Sequence, residues 1–505
     1  MAEAAGGALP DLFTPGGNLK RRSVRGGTVA LATQAVKFLL QLGSTAVLAR
    51  LLTPDDYGSV AMVVALLGFA TLFRDLGLST ATIQRDKITH EEVSGLFWIN
   101  VFFGLAIGFI VALCAPLAAW FYGRPDLRWL TLAFAALVPI DSLATQHEAL
   151  LQRSMRYVSL AIRDLIALIV GIAAGIWSAS LGLGYWALVI MQATIKTANV
   201  LTLWWQSGWR PGRPRWGPGL GRMVRFGGTL TLSNVLGYFL QGLDSVVLGY
   251  LFGSAGVGLY NRAQSLLQKP LQQFMPTVMS VATSAFSRLT SDAESFERNT
   301  LRLLGMVACA AGLVVALVVA TADWMVALLL GDQWTGAVPI VAALSVFAFV
   351  EPSASLLGTL LIARGLPVKV VQWRLISVPI ILAGLAAGAN WGPLGVAIAL
   401  AGSGLLVRAP LFFWYAANAL SIPPRLLFRA VVPHVVLGGA VAVCLLGFRL
   451  LWSPGPVAGI PVFAGLGAVV YLGLLWLRPE GRAMIVDGRA LLSHLRVEPL
   501  AVRRA

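Results

Sequence analysis

The sequence predicts an all-α, polytopic membrane protein with about 14 transmembrane helices. Three observations predict this class: 57% of the 505 residues are apolar and only 12% are charged, long apolar runs recur along the chain, and basic residues gather in alternate connections between these runs. Average soluble domains carry about a quarter charged residues, so this composition cannot cover a surface exposed to water.

Fourteen apolar runs approach or exceed the roughly 20 residues that a membrane-spanning helix needs. The first run follows a basic cluster and lacks a small-residue cleavage site at its end, so we interpret it as an uncleaved span and not a signal peptide. The predicted spans lie at about 27–49, 58–76, 95–121, 128–150, 159–181, 184–206, 226–251, 257–287, 300–322, 335–363, 371–389, 393–417, 430–450 and 457–477.

The distribution of basic residues predicts the orientation of these spans. If the N-terminus is cytoplasmic, the cytoplasmic segments hold 29 of the 38 Lys and Arg residues and the opposite loops hold four. An excess of Lys and Arg in cytoplasmic loops is the usual bias of membrane proteins. The net charge of +16 is therefore interpreted as a topology signal, with both termini cytoplasmic, and no nucleic-acid partner is predicted.

The chain also repeats itself at an offset of 200 residues. Residues 22–67 and 222–267 align without gaps and share twelve identities, among them Arg25 with Arg225 and Gln41 with Gln241. Each copy begins a set of six spans, so both sets have the same orientation, an architecture known in transporters.

This repeat predicts the domain organisation. A disordered cytoplasmic N-terminus precedes two parallel six-helix bundles that a cytoplasmic linker joins, and two further helices and a cytoplasmic tail follow. The boundaries are 1–22 for the N-terminus, 23–206 for the N-lobe, 207–222 for the linker, 223–417 for the C-lobe, 418–478 for the two C-terminal helices and 479–505 for the tail.

Charged side chains inside predicted spans are the candidate functional residues, because each costs about 2.5–3.5 kcal/mol at the centre of a bilayer. One interpretation makes them structural ion pairs or end-of-helix charges; the other places the cations around a cavity that binds an anionic substrate. The acids are alternatives for carrying a coupling proton or sodium ion. Spans 2, 3 and 5 show few charges, so cavity cations are expected from spans 1, 6, 8 and 12. The cations are Lys37, Lys196, Lys269, Arg262 and Arg408, and the acids are Asp141, Asp244 and Glu351.

Several kinds of chemistry are missing from the sequence. It contains no GxxxxGK[ST] phosphate-binding loop, and no His/Cys cluster has the spacing of metal ligands. We predict no catalytic residues, no metal and no cofactor, so transport energy would come from an ion gradient, the membrane potential or the substrate gradient.

The stretch LARLLTPDDYGSVAMVVALLGFATLFRDLGLSTATIQRDKITHEEVSGLFWIN (48–100) resembles the bacterial polysaccharide transporters, the Wzx-type flippases of the multidrug/oligosaccharidyl-lipid/polysaccharide (MOP) exporter superfamily. LDSVVLGYLFGSAGVGLYNRAQSLLQKPLQQF (243–274) and GDQW (331–334) agree with it. The resemblance covers roughly 25–480. It implies two MATE-like six-helix bundles with a cavity between them.

The resemblance also implies the function: a flippase that moves an undecaprenyl-diphosphate-linked oligosaccharide across the bacterial inner membrane for surface polysaccharide (exopolysaccharide or O-antigen) synthesis. A polysaccharide polymerase or export machinery would then be its partner. Two other functions stay open, a cation-coupled exporter of small molecules such as drugs and, less favoured, a polytopic glycosyltransferase or ligase. The enzyme usually needs a large periplasmic loop, and no predicted outside loop exceeds about 20 residues.

Overall fold

The structure is a computed structural model that describes residues 19–67, 78–85, 88–213, 242–268, 293–477 and 481–482. Every regular element within these ranges is helical, which confirms the predicted all-α class. The chain forms two compact units. Unit 1 is Met1–Asn261 with Leu329–Trp334, and unit 2 is Arg262–Leu328 with Thr335–Ala505.

Among the residues that the structure describes, ten helices begin in unit 1, and the last of them continues into unit 2. They are α1 (Leu19–Leu51), α2 (Pro54–Leu67), α3 (Leu78–Gln84), α4 (His90–Leu113), α5 (Ala115–Tyr122), α6 (Leu127–Ser142), α7 (Thr145–Arg153), α8 (Tyr157–Ser180), α9 (Trp186–Ser207) and α10 (Gly242–Gln268).

The described residues after α10 form eight helices, with 3₁₀ turns at Asp332–Ala337 and Ala389–Trp391 and a π-helical turn at Gly404–Arg408. They are α11 (Ala293–Leu329), α12 (Val338–Ala348), α13 (Glu351–Ala363), α14 (Pro367–Gly388), α15 (Gly392–Ser403), α16 (Ala409–Leu420), α17 (Pro424–Leu451) and α18 (Pro456–Trp476).

Nine helical segments among the described residues are long and apolar enough to cross a membrane, and bent helix pairs raise the number to as many as eleven. The protein is therefore a multi-pass membrane protein. The predicted count of 14 stays a prediction, because spans 2, 7 and 8 lie partly outside the described ranges. The linker 207–222 is described only to residue 213, and most of 1–22 and 479–505 also lies outside.

The first bent pair, α1 and α2, meets at 119°. The capping residue Thr53 explains the break: its hydroxyl accepts a hydrogen bond from the Asp56 amide at 3.2 Å, and the Asp56 carboxylate accepts one from the Thr53 amide at 2.9 Å. Such reciprocal bonds satisfy amide groups that the first turn of a helix leaves open. At the equivalent place in the second repeat, Gly253 has a φ of +69°, a backbone conformation that favours glycine.

Helices α2 and α10 cross in unit 1 at two glycines that are 200 residues apart. A Cβ atom on Gly58 would lie 1.7 Å from the Ser254 carbonyl oxygen, and a Cβ atom on Gly258 would lie 1.9 Å from the Pro54 carbonyl oxygen. Residues 54 and 254 are also related by the offset of 200, so the two contacts are equivalent, with the roles of α2 and α10 exchanged. Close backbone approach at small residues is how membrane helices commonly pack.

The two helices beyond the predicted repeat, α17 and α18, pack on α11 within unit 2. The Arg449 guanidinium of α17 binds the Asp323 carboxylate of α11 at 2.6 Å and lies 4.2 Å from the centre of the Trp324 ring. Gly459 of α18 leaves room for the same ring, which would lie 2.4 Å from a Cβ atom there. An ion pair and an aromatic contact therefore fix these helices on the rest of unit 2.

Candidate functional site

The first predicted cation, Lys37 on α1, is paired with a carboxylate on α8. Its ammonium nitrogen lies 2.7 Å from Asp164 Oδ2, and the two side chains are 27% and 26% exposed. The pair joins two helices that are 127 positions apart in the chain. It is neither deeply buried nor fully solvated.

The Asp164 carboxylate has a second cation. Arg163, its neighbour on α8, lies 2.5 Å from Asp164 Oδ1 and 3.0 Å from Glu148 Oε2 of α7. We call Lys37, Asp164, Arg163 and Glu148 the Lys37 network. It joins α1, α7 and α8 through two cations and two carboxylates.

Two members of this network, Arg163 and Asp164, lie in predicted span 5, where the sequence predicts few charges. Asp164 was not counted among the membrane acids, and Arg163 was assigned to a cytoplasmic segment. In the structure both lie on α8, within a candidate span that begins at Tyr157, and the Arg163 side chain is 11% exposed. The sequence offered one clue, an Arg-Asp pair followed at once by the apolar run LIALIVGIAAGIW.

The second predicted cation, Lys196 on α9, is paired in the same way. Its ammonium contacts the carboxylate of Asp141 on α6, with side chains 22% and 14% exposed. Asp141 lies two residues after Pro139 and just before the break between α6 and α7. The residue considered for ion coupling is thus the partner of a residue considered for substrate binding.

Charge balance follows from these contacts. On the candidate spans of unit 1, these pairs bring three cations, Lys37, Arg163 and Lys196, to three carboxylates. The lysines are therefore compensated in this conformation. An anion that binds them must compete with the aspartates.

In unit 2, Arg408 stands at the end of the π-helical turn and packs on an aromatic ring, with its guanidinium carbon 4.7 Å from the centre of Phe347. Gly404, at the start of the turn, leaves room for that ring, which would lie 2.4 Å from a Cβ atom there. The positive charge of Arg408 also acts on the carboxylate of Glu351. Single π-helical turns inside helices often occur at functional sites.

The remaining candidates lie on α10 or beyond the described residues. Asp244 accepts a hydrogen bond from the Ser245 amide at 2.8 Å and another from the Tyr260 hydroxyl. Arg262 is half-buried on the same helix, and Lys269 lies outside the described residues. The common cavity for the five cations stays a prediction.

A further polar cluster, between the candidate spans that end at Tyr122 and begin at Leu127, was not anticipated from the sequence. The Arg124 guanidinium donates to Ser254 Oγ at 2.6 Å, to Asp126 at 2.8 and 2.9 Å and to Asp55 at 3.2 and 3.3 Å. We call these four residues the Arg124 cluster. The hydrogen bond from Arg124 holds the pKa of Asp126 below its usual value, and its two carboxylate partners raise the pKa of Arg124.

The GDQW segment singled out in the sequence also belongs to unit 1. Trp334 is fully buried, and its indole nitrogen donates to the Ala49 carbonyl at 2.8 Å, while the Gln333 amide donates to the Leu52 carbonyl at 2.9 Å. These are carbonyls at the C-terminal end of α1, which its own helix leaves without partners. The segment therefore closes the end of the helix that carries Lys37.

Two known proteins are similar to this chain over most of its length. The lipopolysaccharide biosynthesis protein WzxC of Escherichia coli (strain K12) is 24% identical over 69% of this chain and 71% of its own. The teichuronic acid biosynthesis protein TuaB of Bacillus subtilis (strain 168) is 22% identical over 86% of this chain and 92% of its own.

Among solved structures, the inward closed conformation of the lipid II flippase MurJ matches with a TM-score of 0.70 at 11% identity, over 89% of this chain and 97% of MurJ. At that identity the likeness concerns the fold alone, and it agrees with the predicted all-α, polytopic membrane architecture. The model of the family described as "Polysaccharide biosynthesis protein" matches residues 47–339, more than half of the chain. This multi-pass membrane protein therefore belongs to the polysaccharide biosynthesis protein family.

Proposed function

We propose that this protein is a flippase, and not an enzyme, that moves an undecaprenyl-diphosphate-linked oligosaccharide across the bacterial inner membrane for surface polysaccharide synthesis. The observation that carries the proposal is that Lys37 and Lys196 lie on candidate spans. Each ammonium group contacts an aspartate, and the side chains of both pairs are partly exposed. Family membership supports it, and so do the names of WzxC and TuaB, which refer to lipopolysaccharide and teichuronic acid synthesis.

The diphosphate is the part of such a substrate that resists transfer, because it is charged and strongly hydrated. Ammonium and guanidinium groups replace the lost water with charge-assisted hydrogen bonds. Lys37 and Lys196 supply point charges on flexible stems, whereas the planar guanidinium of Arg408 suits bidentate contact with a phosphate. Arg262 and Lys269 complete the proposed set, and the protein alternates access to it from the two sides of the membrane.

Ion coupling is part of the proposal, with H⁺ or Na⁺ as the coupling ion. Asp141 contacts the ammonium group of Lys196, and the positive charge of Arg408 attracts the carboxylate of Glu351. The hydrogen bonds described for Asp244 come from neutral donors, so among the three acids it is the one we favour for the ion. The excess of Lys and Arg in alternate segments supports cytoplasmic termini as part of the proposal. A polysaccharide polymerase or export machinery takes the product on the other side.

The test replaces Lys37, Lys196 and Lys269 singly with Ala in cells that make a surface polysaccharide. A matched control is Lys369→Ala, since Lys369 packs over the Tyr415 ring, 5.8 Å from its centre, and is not among the proposed residues. We expect the three variants to insert normally, to lose export and to leave lipid-linked repeat units on the cytoplasmic side, while the control exports normally. Wild-type export from all three would contradict the cationic site.

Deleting the protein tests the substrate class. We expect lipid-linked repeat units to accumulate on the cytoplasmic side and surface polysaccharide to disappear, while resistance to drugs is unchanged. Lost drug resistance together with normal polysaccharide would contradict the proposed function and would favour a small-molecule exporter.

A further inference from the structure

The ammonium group that we assign to the substrate is already bound. Lys37 Nζ lies 2.7 Å from Asp164 Oδ2, which is ordinary contact distance for a charge-assisted hydrogen bond. The ammonium has three N–H donors, but the carboxylate neutralises its positive charge and so weakens its attraction for a phosphate. The carboxylate and the diphosphate therefore compete for one cation.

We propose that Asp164 is a positioning residue that competes with the diphosphate for Lys37, so that its recapture of Lys37 promotes release of the substrate. This inference rests on the proposed function and adds a role for a residue that the sequence did not reveal. Asp164 holds Lys37 before the substrate arrives and takes it back afterwards, and it does not itself touch the diphosphate.

Arg163 makes this exchange physically feasible. A carboxylate stripped of its only cation within a membrane span is costly, and a structural pair of that kind would resist separation. Asp164 divides its oxygens between two cations, with Oδ2 on Lys37 and Oδ1 on Arg163 at 2.5 Å. When Lys37 turns to the substrate, Asp164 keeps a cation.

The exposed fractions of Lys37 and Arg163 indicate which of these two cations leaves Asp164. The Arg163 side chain is 11% exposed and is held by Glu148 as well as by Asp164, whereas the Lys37 side chain is 27% exposed. Lysine carries its charge on a flexible four-carbon stem, while arginine presents a rigid fork. Lys37 is thus the exchangeable member of the network, and Arg163 is the fixed one.

Lys196 and Asp141 form a second lysine–aspartate pair, between α9 and α6, with side chains 22% and 14% exposed. The two-cation arrangement is described for Asp164. Two lysines held by two aspartates on other helices give the same competition twice. The second pair provides an independent place to test the principle.

The experiment measures binding and turnover separately. Full-length protein in lipid nanodiscs is titrated with geranylgeranyl diphosphate, with inorganic pyrophosphate as the competing soluble anion, and export is measured in cells. Asp164→Asn removes the competitor, so we expect the probe to bind about fivefold more tightly, the scale of one partly exposed ion pair. Export per folded molecule should fall, because release is no longer assisted.

A purely structural role would not produce this split, since a damaged site binds more weakly. Asp164→Glu keeps the carboxylate, so both the affinity for the probe and the export rate should equal those of the wild-type protein. Asp323→Asn breaks the pair with Arg449 in unit 2 and should leave probe binding unchanged. In a Lys37→Ala background, Asp164→Asn should have no further effect on binding, because the two residues act through one interaction.

Equal or weaker probe binding by Asp164→Asn would overturn the inference, as would tighter binding that persists without Lys37. If Asp164→Asn fails to fold, Asp141→Asn asks the same question of Lys196, and unchanged or weaker binding there has the same meaning. Failure of the proposed function gives a different result: Lys37→Ala would then bind the probe as tightly as the wild-type protein.

Discussion

The Lys37 network and the Arg124 cluster use the same chemistry for opposite purposes. Arg124 lies between two candidate spans and directs its guanidinium to two aspartates and a serine on three separate segments of unit 1. Lys37 lies on a span and directs a single ammonium to one carboxylate. A rigid fork with several acceptors fixes a joint, whereas a point charge with one acceptor can be exchanged.

The largest effect expected on the fixed side comes from Gly58→Ala. The added methyl group would collide with the Ser254 carbonyl oxygen at the crossing that Arg124 reinforces, and backbone cannot yield as a flexible side chain can. We expect little or no folded protein, measured as the yield of monodisperse protein after extraction. Gly43→Ala is the control, because a Cβ atom there meets nothing within 4 Å; equal yields would show that the crossing is not tight.

On the exchangeable side, Lys37→Arg should keep the folded yield and slow export severalfold. The guanidinium fork would hold either Asp164 or a diphosphate through two hydrogen bonds, so each exchange becomes slower. The measurement is export per folded molecule, with Lys369→Arg as the control. Export at the wild-type rate would mean that exchange at Lys37 does not limit turnover.

Arg124→Ala should lower the stability of unit 1 by about 1 kcal/mol, because the side chains of its ion pairs are 32–49% exposed and water screens them. A lower temperature of thermal unfolding in detergent would show this. Arg124→Lys should restore little, since an ammonium cannot span both aspartates. Full rescue by lysine would remove the distinction drawn between the two sites.

The smallest effect concerns pH. Because Arg124 lowers the pKa of Asp126, this pair contributes stability above the unfolded value of aspartate, about 3.9, and loses it as the pH falls through the lower folded value. The gap in unfolding temperature between the wild-type protein and Asp126→Asn should be constant near neutrality and should shrink below about pH 4. A gap that widens in acid would contradict this assignment.

The apolar runs and the distribution of basic residues were enough to predict an all-α, multi-pass membrane fold. Both are local properties of the sequence and do not depend on which helices pack together. The sequence indicated Lys37 and Lys196 as charged residues of predicted spans, and in the structure both lie on candidate spans, while their role in binding stays a prediction. Asp164 was missed because a charged pair near a helix start is typical of a loop, and only the neighbouring helices α1 and α7 show that it is enclosed. The partner of a charge depends on helix packing, which no local pattern encodes.

The same limit applies to the Arg124 cluster and to Trp334. Arg124 was counted only as one of the few basic residues in the outside loops, yet it binds residues 69 and 130 positions away. Trp334 was noted for its family resemblance, but its partner Ala49 lies 285 positions earlier. Contacts of this length depend on how α1, α2 and α10 meet.

The crossing of α2 and α10 has a practical consequence for the intact chain. One glycine of the crossing precedes the linker 207–222 and the other follows it, so a cut in the linker leaves each fragment with half of the contact. Two such fragments produced together should assemble through Gly58 and Gly258, and each produced alone should be degraded. In the intact chain the linker keeps these two segments at a high local concentration, which favours their association.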